Sequence, residues 1–257
     1  MLSNLENVLQ IENLSVSYSE DVAVSDVSFS MRKGEILCIV GESGSGKSTL
    51  VKAIHGLENA DCTGGRVSLF GKEMKSDSDK RALMGTEVGL IPQNPGGSFN
   101  PLRPFEKQFK EAFVGTKKPY DEKRIIETFA KLGLKDGECI LKSRPYEMSG
   151  GMNQRIAVAF SFVLEPKLLL CDEATSALDV TTANLVVEEL KTLRDENDTA
   201  ILMVTHHLGI ARSMADHVAI MKDGKIIEYG TSEEIFSNPK CEYTKNLLRD
   251  VPKLKQD

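Results

Sequence analysis

The sequence predicts an α/β fold built on a mostly parallel sheet, and three observations carry that expectation. Short β-rich runs alternate with helical stretches along much of the chain, as in layered domains of strands covered by helices. A Gly/Ser loop, Gly41–Lys47, stands between an apolar strand and a helical stretch. From about residue 97 to 163 the pattern turns helical before strands resume, which reads as a helical lobe inserted into the α/β core.

In chain order, Val8–Tyr18, Val22–Met31 and Glu35–Val40 read as strands, with Lys33-Gly34 as a turn. Ser48–Leu57 reads as a helix, and Val67–Phe70 and Val88–Ile91 as strands. Asn94–Pro104 holds three prolines and two glycines and is a loop. Pro104–Val114, Glu122–Leu132 and Gly151–Leu164 read as helices. The core then resumes with strand Lys167–Cys171, helix Thr181–Glu196, strand Ala200–Thr205 and helix Leu208–Ala215. Val218–Met221 and Lys225–Glu228 flank Asp223-Gly224, a two-residue hairpin signal. One domain is expected over residues 1–257, with a polar tail at 249–257 and no internal repeats.

Composition excludes several classes. The chain has 257 residues, 40% apolar and 27% charged, which is ordinary globular usage. A net charge of −6 offers no footprint for nucleic acid or anionic lipid. No apolar run approaches the roughly 20 residues that span a bilayer. The N-terminal segment has no basic region followed by an apolar one, so neither a signal peptide nor an anchor is expected. The five cysteines are widely spaced with no C-x-x-C pair, as in reduced cytosolic proteins.

Three motifs carry chemistry. Gly41-Glu42-Ser43-Gly44-Ser45-Gly46-Lys47-Ser48 fits G-x-x-x-x-G-K-[ST] between a strand and a helix. Its glycines let backbone amides wrap phosphate oxygens, Lys47 supplies a charge to the terminal phosphates, and the Ser48 hydroxyl suits Mg²⁺. Leu168–Glu173 is an apolar strand that delivers two acids at its C-terminal edge, where open α/β sheets bind ligands. Asp172 there suits Mg²⁺ through water, and Glu173 suits the attacking water. Met148-Ser149-Gly150-Gly151 precedes an amphipathic helix, with Ser149 as N-cap and two glycines exposing amides. It is a second anion-binding helix start, which one nucleotide does not need.

These motifs, followed by Ser176-Ala177-Leu178-Asp179 and Thr205-His206, stand in the order and spacing of ABC ATPases, and the chain resembles that family from about residue 8 to 248. The resemblance implies a P-loop NTPase core, an antiparallel β subdomain and the inserted helical subdomain. It implies that Tyr18 stacks on adenine and that Gly41, Ser43, Gly44, Ser45, Gly46, Lys47, Ser48 and Thr49 hold ATP. Glu173, His206, Lys47 and Gln93 become the catalytic set, and Ser48, Gln93 and Asp172 the Mg²⁺ set. Ser149, Gly150, Gly151 and Met152 form the signature that completes a partner's ATP site, while Ser176 and Asp179 belong to the dimer loop. The implied assembly is a head-to-tail ATP sandwich with a paralogue or a second copy. It sits on the cytoplasmic face of the membrane against transmembrane permease subunits, served indirectly by an extracytoplasmic solute-binding protein.

A finer resemblance is to the oligopeptide, dipeptide and nickel importers. It rests on Met152, on Asn100-Pro101 with Gln108, and on Tyr243-Thr244-Lys245-Asn246-Leu247-Leu248. Pro92, Asn153, His207 and Cys241-Glu242 depart from the usual pattern. The stretch after Leu248 lacks the cysteine cluster of the longer importer ATPases, which favours nickel or metallophore members. The rival readings are an exporter subunit, a soluble non-transport ABC ATPase and a regulatory module without turnover. Lys72, Lys75, Lys80 and Arg81 read as a solvated face.

Overall fold

The computed structural model describes residues 7–19, 21–57, 61–116, 118–175 and 178–249. Strands β1 (Asn7–Tyr18) and β2 (Asp21–Arg32) form a long antiparallel hairpin. The chain then turns at Gly34 into β3 (Ile36–Val40), the phosphate loop and α1 (Lys47–His55). Next come β4 (Asp61–Leu69), β5 (Lys72–Glu73), α2 (Asp77–Arg81) and β6 (Val88–Ile91). Four helices follow: α3 (Phe105–Thr116), α4 (Glu122–Lys131), α5 (Gly137–Lys142) and α6 (Gly150–Val163). The chain then runs through β7 (Leu168–Asp172), α7 (Val180–Asn197), β8 (Ala200–Thr205), α8 (Leu208–Met214) and β9 (His217–Lys222). It finishes with β10 (Lys225–Thr231), α9 (Ser232–Ser237) and α10 (Glu242–Arg249).

Two sheets result. The first, in the order β2-β1-β4-β5, is antiparallel. The second, β10-β9-β3-β8-β7-β6, is parallel except for the β9–β10 edge hairpin. That hairpin turns at Asp223 and Gly224, with φ +46 and +78, the left-handed pair a type I′ turn requires. Strands β3, β7 and β8 are buried along their whole length, because helices or the other sheet cover both faces of a parallel sheet.

Alternation along β3 divides the interior. Ile36, Cys38 and Val40 enter a core that runs through the inserted helices, with Phe105, Phe109 and Phe129 fully buried there. Leu37 and Ile39 enter a second core under α1 and the antiparallel sheet. Phe109 packs edge-to-face on Phe129 and Phe160 at centroid distances of 5.8 and 4.9 Å, the geometry ring quadrupoles favour. Burial pushes the Cys38 thiol up to about 12, so it acts as a small hydrophobe; all five cysteines are free.

Several local expectations are corrected. Strand β4 begins at Asp61, well before Val67, and pairs with β1 along its length. Helices α2, α5, α9 and α10 lie where the sequence reading placed none. The run from Lys72 to Arg81 is not uniformly solvated. Ser76 and Asp79 form a capping box that starts α2 and turns Lys80 inward, where it is 4% exposed. Its ammonium donates to the Ala53 carbonyl at 2.8 Å and meets Asp77 at 3.0 Å, while Arg81 donates to the Gly56 carbonyl. Both cations thereby serve the C-terminal end of α1, where carbonyls lack helical partners.

Candidate active site

The site grows from the carboxyl edge of the parallel sheet. β3 delivers the loop from Gly41 to Gly46, and α1 starts at Lys47. Two glycines in the loop are required by space. A Cβ on Gly41 would lie 2.1 Å from the Met221 carbonyl oxygen, and one on Gly46, at φ +101, would lie 2.4 Å from that of Ala23. The loop is thus pressed against the β9–β10 hairpin on one side and β2 on the other. Gly224 N–H donates to the Ser45 carbonyl at 3.1 Å and ties it to that hairpin.

Lys47 is 4% exposed, and its ammonium donates to the Gly41 and Glu42 carbonyls at 2.8 and 2.7 Å and to Ser45 Oγ at 3.2 Å. The loop thus folds around its own lysine. Burial pushes the ammonium pKa down, against the opposing charges of Glu173, Asp172 and Glu42. Ser48 Oγ donates to Asp172 Oδ1 at 2.7 Å, joining α1 to the end of β7. Burial raises the Asp172 pKa and the charge of Glu173 adds to the rise, while the Ser48 hydroxyl opposes it. A hydroxyl and a carboxylate in contact are hard oxygen donors that fit Mg²⁺, which takes one or two side chains and fills its octahedron with water and phosphate oxygens. Among the described residues no cluster of three or more His, Cys, Asp or Glu could hold a metal by itself.

Glu173 follows with φ +50, a left-handed backbone that turns its side chain from the strand into the crevice. Gln93 Nε2 donates to Glu173 Oε2 at 3.3 Å, and His206 Nδ1 lies 3.0 Å from Oε1. The glutamate is therefore held between the segment after β6 and the end of β8. Thr205 Oγ1 accepts the His207 N–H at 3.0 Å, turning the chain so that His207 occupies the cap position of α8. The two histidine rings lie 4.1 Å apart at 39°. Burial and the neighbouring His206 lower the His207 pKa.

The remaining candidates stand apart. Ser149 caps α6, its Oγ accepting the Met152 N–H at 3.3 Å. A Cβ on Gly150 or Gly151 would meet nothing within 4 Å, so this helix start is open. Among the described residues, no hydrogen bond joins Ser149–Met152 to the phosphate loop. Asp179 caps α7 through Thr182, accepting its N–H and hydroxyl at 3.0 and 2.7 Å. Ser176 lies outside the described residues. Tyr18 ends β1 half-buried; Ser43 and Gly44 are exposed at the loop crest, and Thr49 is half-buried on α1.

Two supports escaped the sequence reading. Buried Gln154 Nε2 donates to the Ala174 carbonyl at 3.2 Å, linking α6 to the turn after Glu173. The β9–β10 hairpin, expected from Val218–Met221, Lys225–Glu228 and Asp223-Gly224, also backs the phosphate loop. Its signal was the Asp223-Gly224 pair, but contact across so many residues leaves no local trace.

Residues 24–176 match the family model described as ABC transporter. The chain is 38% identical over 262 residues to "Dipeptide transport ATP-binding protein DppD" of Bacillus subtilis (strain 168), covering 97% of this chain and 78% of that protein. It is 36% identical over 259 residues to "Oligopeptide transport ATP-binding protein OppD" of Lactococcus lactis subsp. cremoris (strain SK11), covering 96% and 76%. Its fold is similar to the dimeric structure of a post-hydrolysis state of the ATP-binding cassette MJ0796 bound to ADP and Pi. That likeness has a TM-score of 0.76 at 24% identity and covers 87% of this chain and 98% of that one.

Proposed function

The chain belongs to the ABC transporter family, and from that premise we propose that it hydrolyses ATP to drive peptide import through separate transmembrane permease subunits. The observation that carries the reading is Glu173 gripped between Gln93 and His206 beside the Lys47 loop.

In this reading the ATP phosphates replace the Gly41 and Glu42 carbonyls as partners of Lys47. The amides of Ser43 to Thr49 wrap the phosphates, and adenine stacks on Tyr18. Ser48 and Asp172, with Gln93, hold Mg²⁺, which when bound neutralises developing charge on the phosphate oxygens. Glu173 orients a water in line with the γ-phosphorus. The water oxygen forms the new bond to phosphorus as the bond to the β-γ bridging oxygen breaks, and the proton the water gives up passes to the Glu173 carboxylate and then to phosphate, giving ADP and inorganic phosphate. His206 steadies the γ-phosphate and keeps Glu173 aimed.

Ser149, Gly150, Gly151 and Met152 offer an open, positively polarised helix start with no phosphate of their own. We assign it to the γ-phosphate on a second ATPase subunit, a paralogue or another copy, with Ser176 and Asp179 lining the seam. The inserted helices, about residues 97–163, act as a subdomain that carries this signature. A 340 Å³ cleft lined by Leu90, Pro92, Phe99, Gln108 and Phe160 suits a short helix from the permease. No helix among the described residues is long and apolar enough to cross a membrane. In this reading, contact with the permease holds the chain peripherally at the cytoplasmic face.

The relatives' names, dipeptide and oligopeptide transport, support peptide cargo; nickel or a metal chelate is the alternative. The test is the transporter reconstituted with its permease and extracytoplasmic binding protein. Peptide-loaded binding protein should stimulate ATP hydrolysis. Stimulation by nickel- or metallophore-loaded protein alone would replace the cargo, and stimulation by a cytoplasmic-side cargo without any binding protein would favour an exporter.

A further inference from the structure

Near its start, helix α6 is tied to its surroundings in two directions. Asn153 Nδ2 donates to the Pro145 carbonyl at 2.8 Å, which fixes the segment leading into Ser149. Gln154 Nε2 donates the other way, to the Ala174 carbonyl at 3.2 Å. Gln154 is 5% exposed and Ala174 1%, so this bond lies in the interior, where either group left unpaired is unfavourable. Ala174 directly follows Glu173, whose own N–H donates to the Val204 carbonyl at 3.0 Å. Glu173 sits at φ +50. A glutamate persists in that left-handed conformation only where its surroundings hold it. Gln154 is one of the groups that do so, gripping the carbonyl one residue on. The helix that begins at Ser149 is therefore bonded to the backbone beside this chain's own Glu173.

We propose that Gln154 is a positioning residue for Glu173, and that through it the glutamate answers to what sits on the start of its own α6. The inference rests on the reading of Ser149–Met152 as the seat for a γ-phosphate held by a second subunit. A phosphate seated there attracts α6 along its axis, because the first amides and the helix dipole point at it. Asn153 moves the Pro145 turn with the helix start, and Gln154 passes the same displacement to the Ala174 carbonyl. The angle at which Glu173 leaves β7 follows. Each subunit's glutamate is thus aimed by the nucleotide that its partner holds. Gln154 touches neither nucleotide and acts only through the backbone beside Glu173.

The test is Gln154→Met and Gln154→Glu in the assembled transporter, with the isolated chain as control. Methionine keeps the length and removes the amide. Glutamate keeps the shape but presents a carboxylate to the Ala174 carbonyl. In both variants the isolated chain should bind Mg-ATP as the wild type does, since the Lys47 loop is untouched. Turnover in the transporter should fall about tenfold in kcat with KM unchanged, the signature of lost orientation rather than lost binding. The relay itself is read from per-site turnover with the second ATP site filled, or emptied by Lys47→Ala or the equivalent paralogue variant in the second subunit. Filling should raise wild-type turnover about fivefold, the low end of a typical coupling between sites, and leave that of Gln154→Met nearly unchanged. Wild-type kcat in both Gln154 variants would overturn the proposal, and so would a response to filling that survives Gln154→Met. A fall in kcat together with weaker ATP binding by the isolated chain would make Gln154 a packing residue and overturn it too. Ser149→Arg runs beside these variants: ATP-driven pairing that survived it would remove the shared-site premise, and the relay with it.

Discussion

Glu173 Oε1 stands 3.0 Å from His206 Nδ1, a contact between the residue after β7 and the residue after β8, two neighbouring parallel strands. The pairing register brings Asp172, the last residue of β7, opposite Val204, so β8 runs one residue further through Thr205 before His206 meets Glu173. His207, one residue on, is turned into the α8 cap and touches Glu173 only through its charge.

That difference separates the adjacent histidines. His206→Ala should lower ATP hydrolysis by on the order of 10²-fold, as loss of a preorganised donor does. His207→Ala should cost much less, since only its ring contact with His206 is lost. Steady-state ATPase rates of both variants in the assembled transporter check this. A larger loss in His207→Ala would move the phosphate-facing role by one residue.

His55 gives a pH dependence. It ends α1 beside a small cleft lined by Gly89, Leu90, Phe160 and Pro166, and its Nδ1 has no partner among the described residues. Burial lowers its pKa from 6.5. The unfolded chain therefore takes up a proton first as pH falls, and stability is lost from about 6.5 down to the lower folded value. Urea melts at pH 7.5 and 5.5 should show a smaller acid loss in His55→Leu than in the wild type. An equal loss in both would show that His55 does not report this linkage.

The fold was legible where burial is two-sided or where turn chemistry is local. Strand β8 runs Ala200–Thr205, the bounds its apolar run suggests, because a parallel strand covered on both faces must be apolar throughout. The phosphate loop, Glu173, Gln93 and His206 each follow a strand and Asp172 ends one, so their convergence follows from the sheet order. What stayed hidden was long-range. Lys80 looks like any lysine in a charged run until a capping box turns it onto the carbonyl of Ala53. Helix α10 is held at its start by Glu228, which no local motif around Cys241-Glu242 announces.

Ser149→Arg tests the shared site. The side chain would fill the open start of α6 without touching the Lys47 loop. ATP should still bind the variant monomer, but ATP-driven pairing in a Glu173→Gln background, followed by gel filtration, should vanish. Mixing it with a Lys47→Ala partner, or the equivalent paralogue variant, should restore part of the activity, because one composite site is then intact. Loss of nucleotide binding by the Ser149→Arg monomer would place the signature within its own chain.

The most direct measurement is Glu173→Gln in the assembled transporter, with ATP binding and hydrolysis followed on the same preparation. Glutamine keeps the shape and the reach to Gln93 and His206 but has no carboxylate to draw on the water. ATP should bind with wild-type affinity while turnover falls by about 10²–10⁴-fold, the range for losing an acid–base group. Wild-type turnover in this variant would contradict the account.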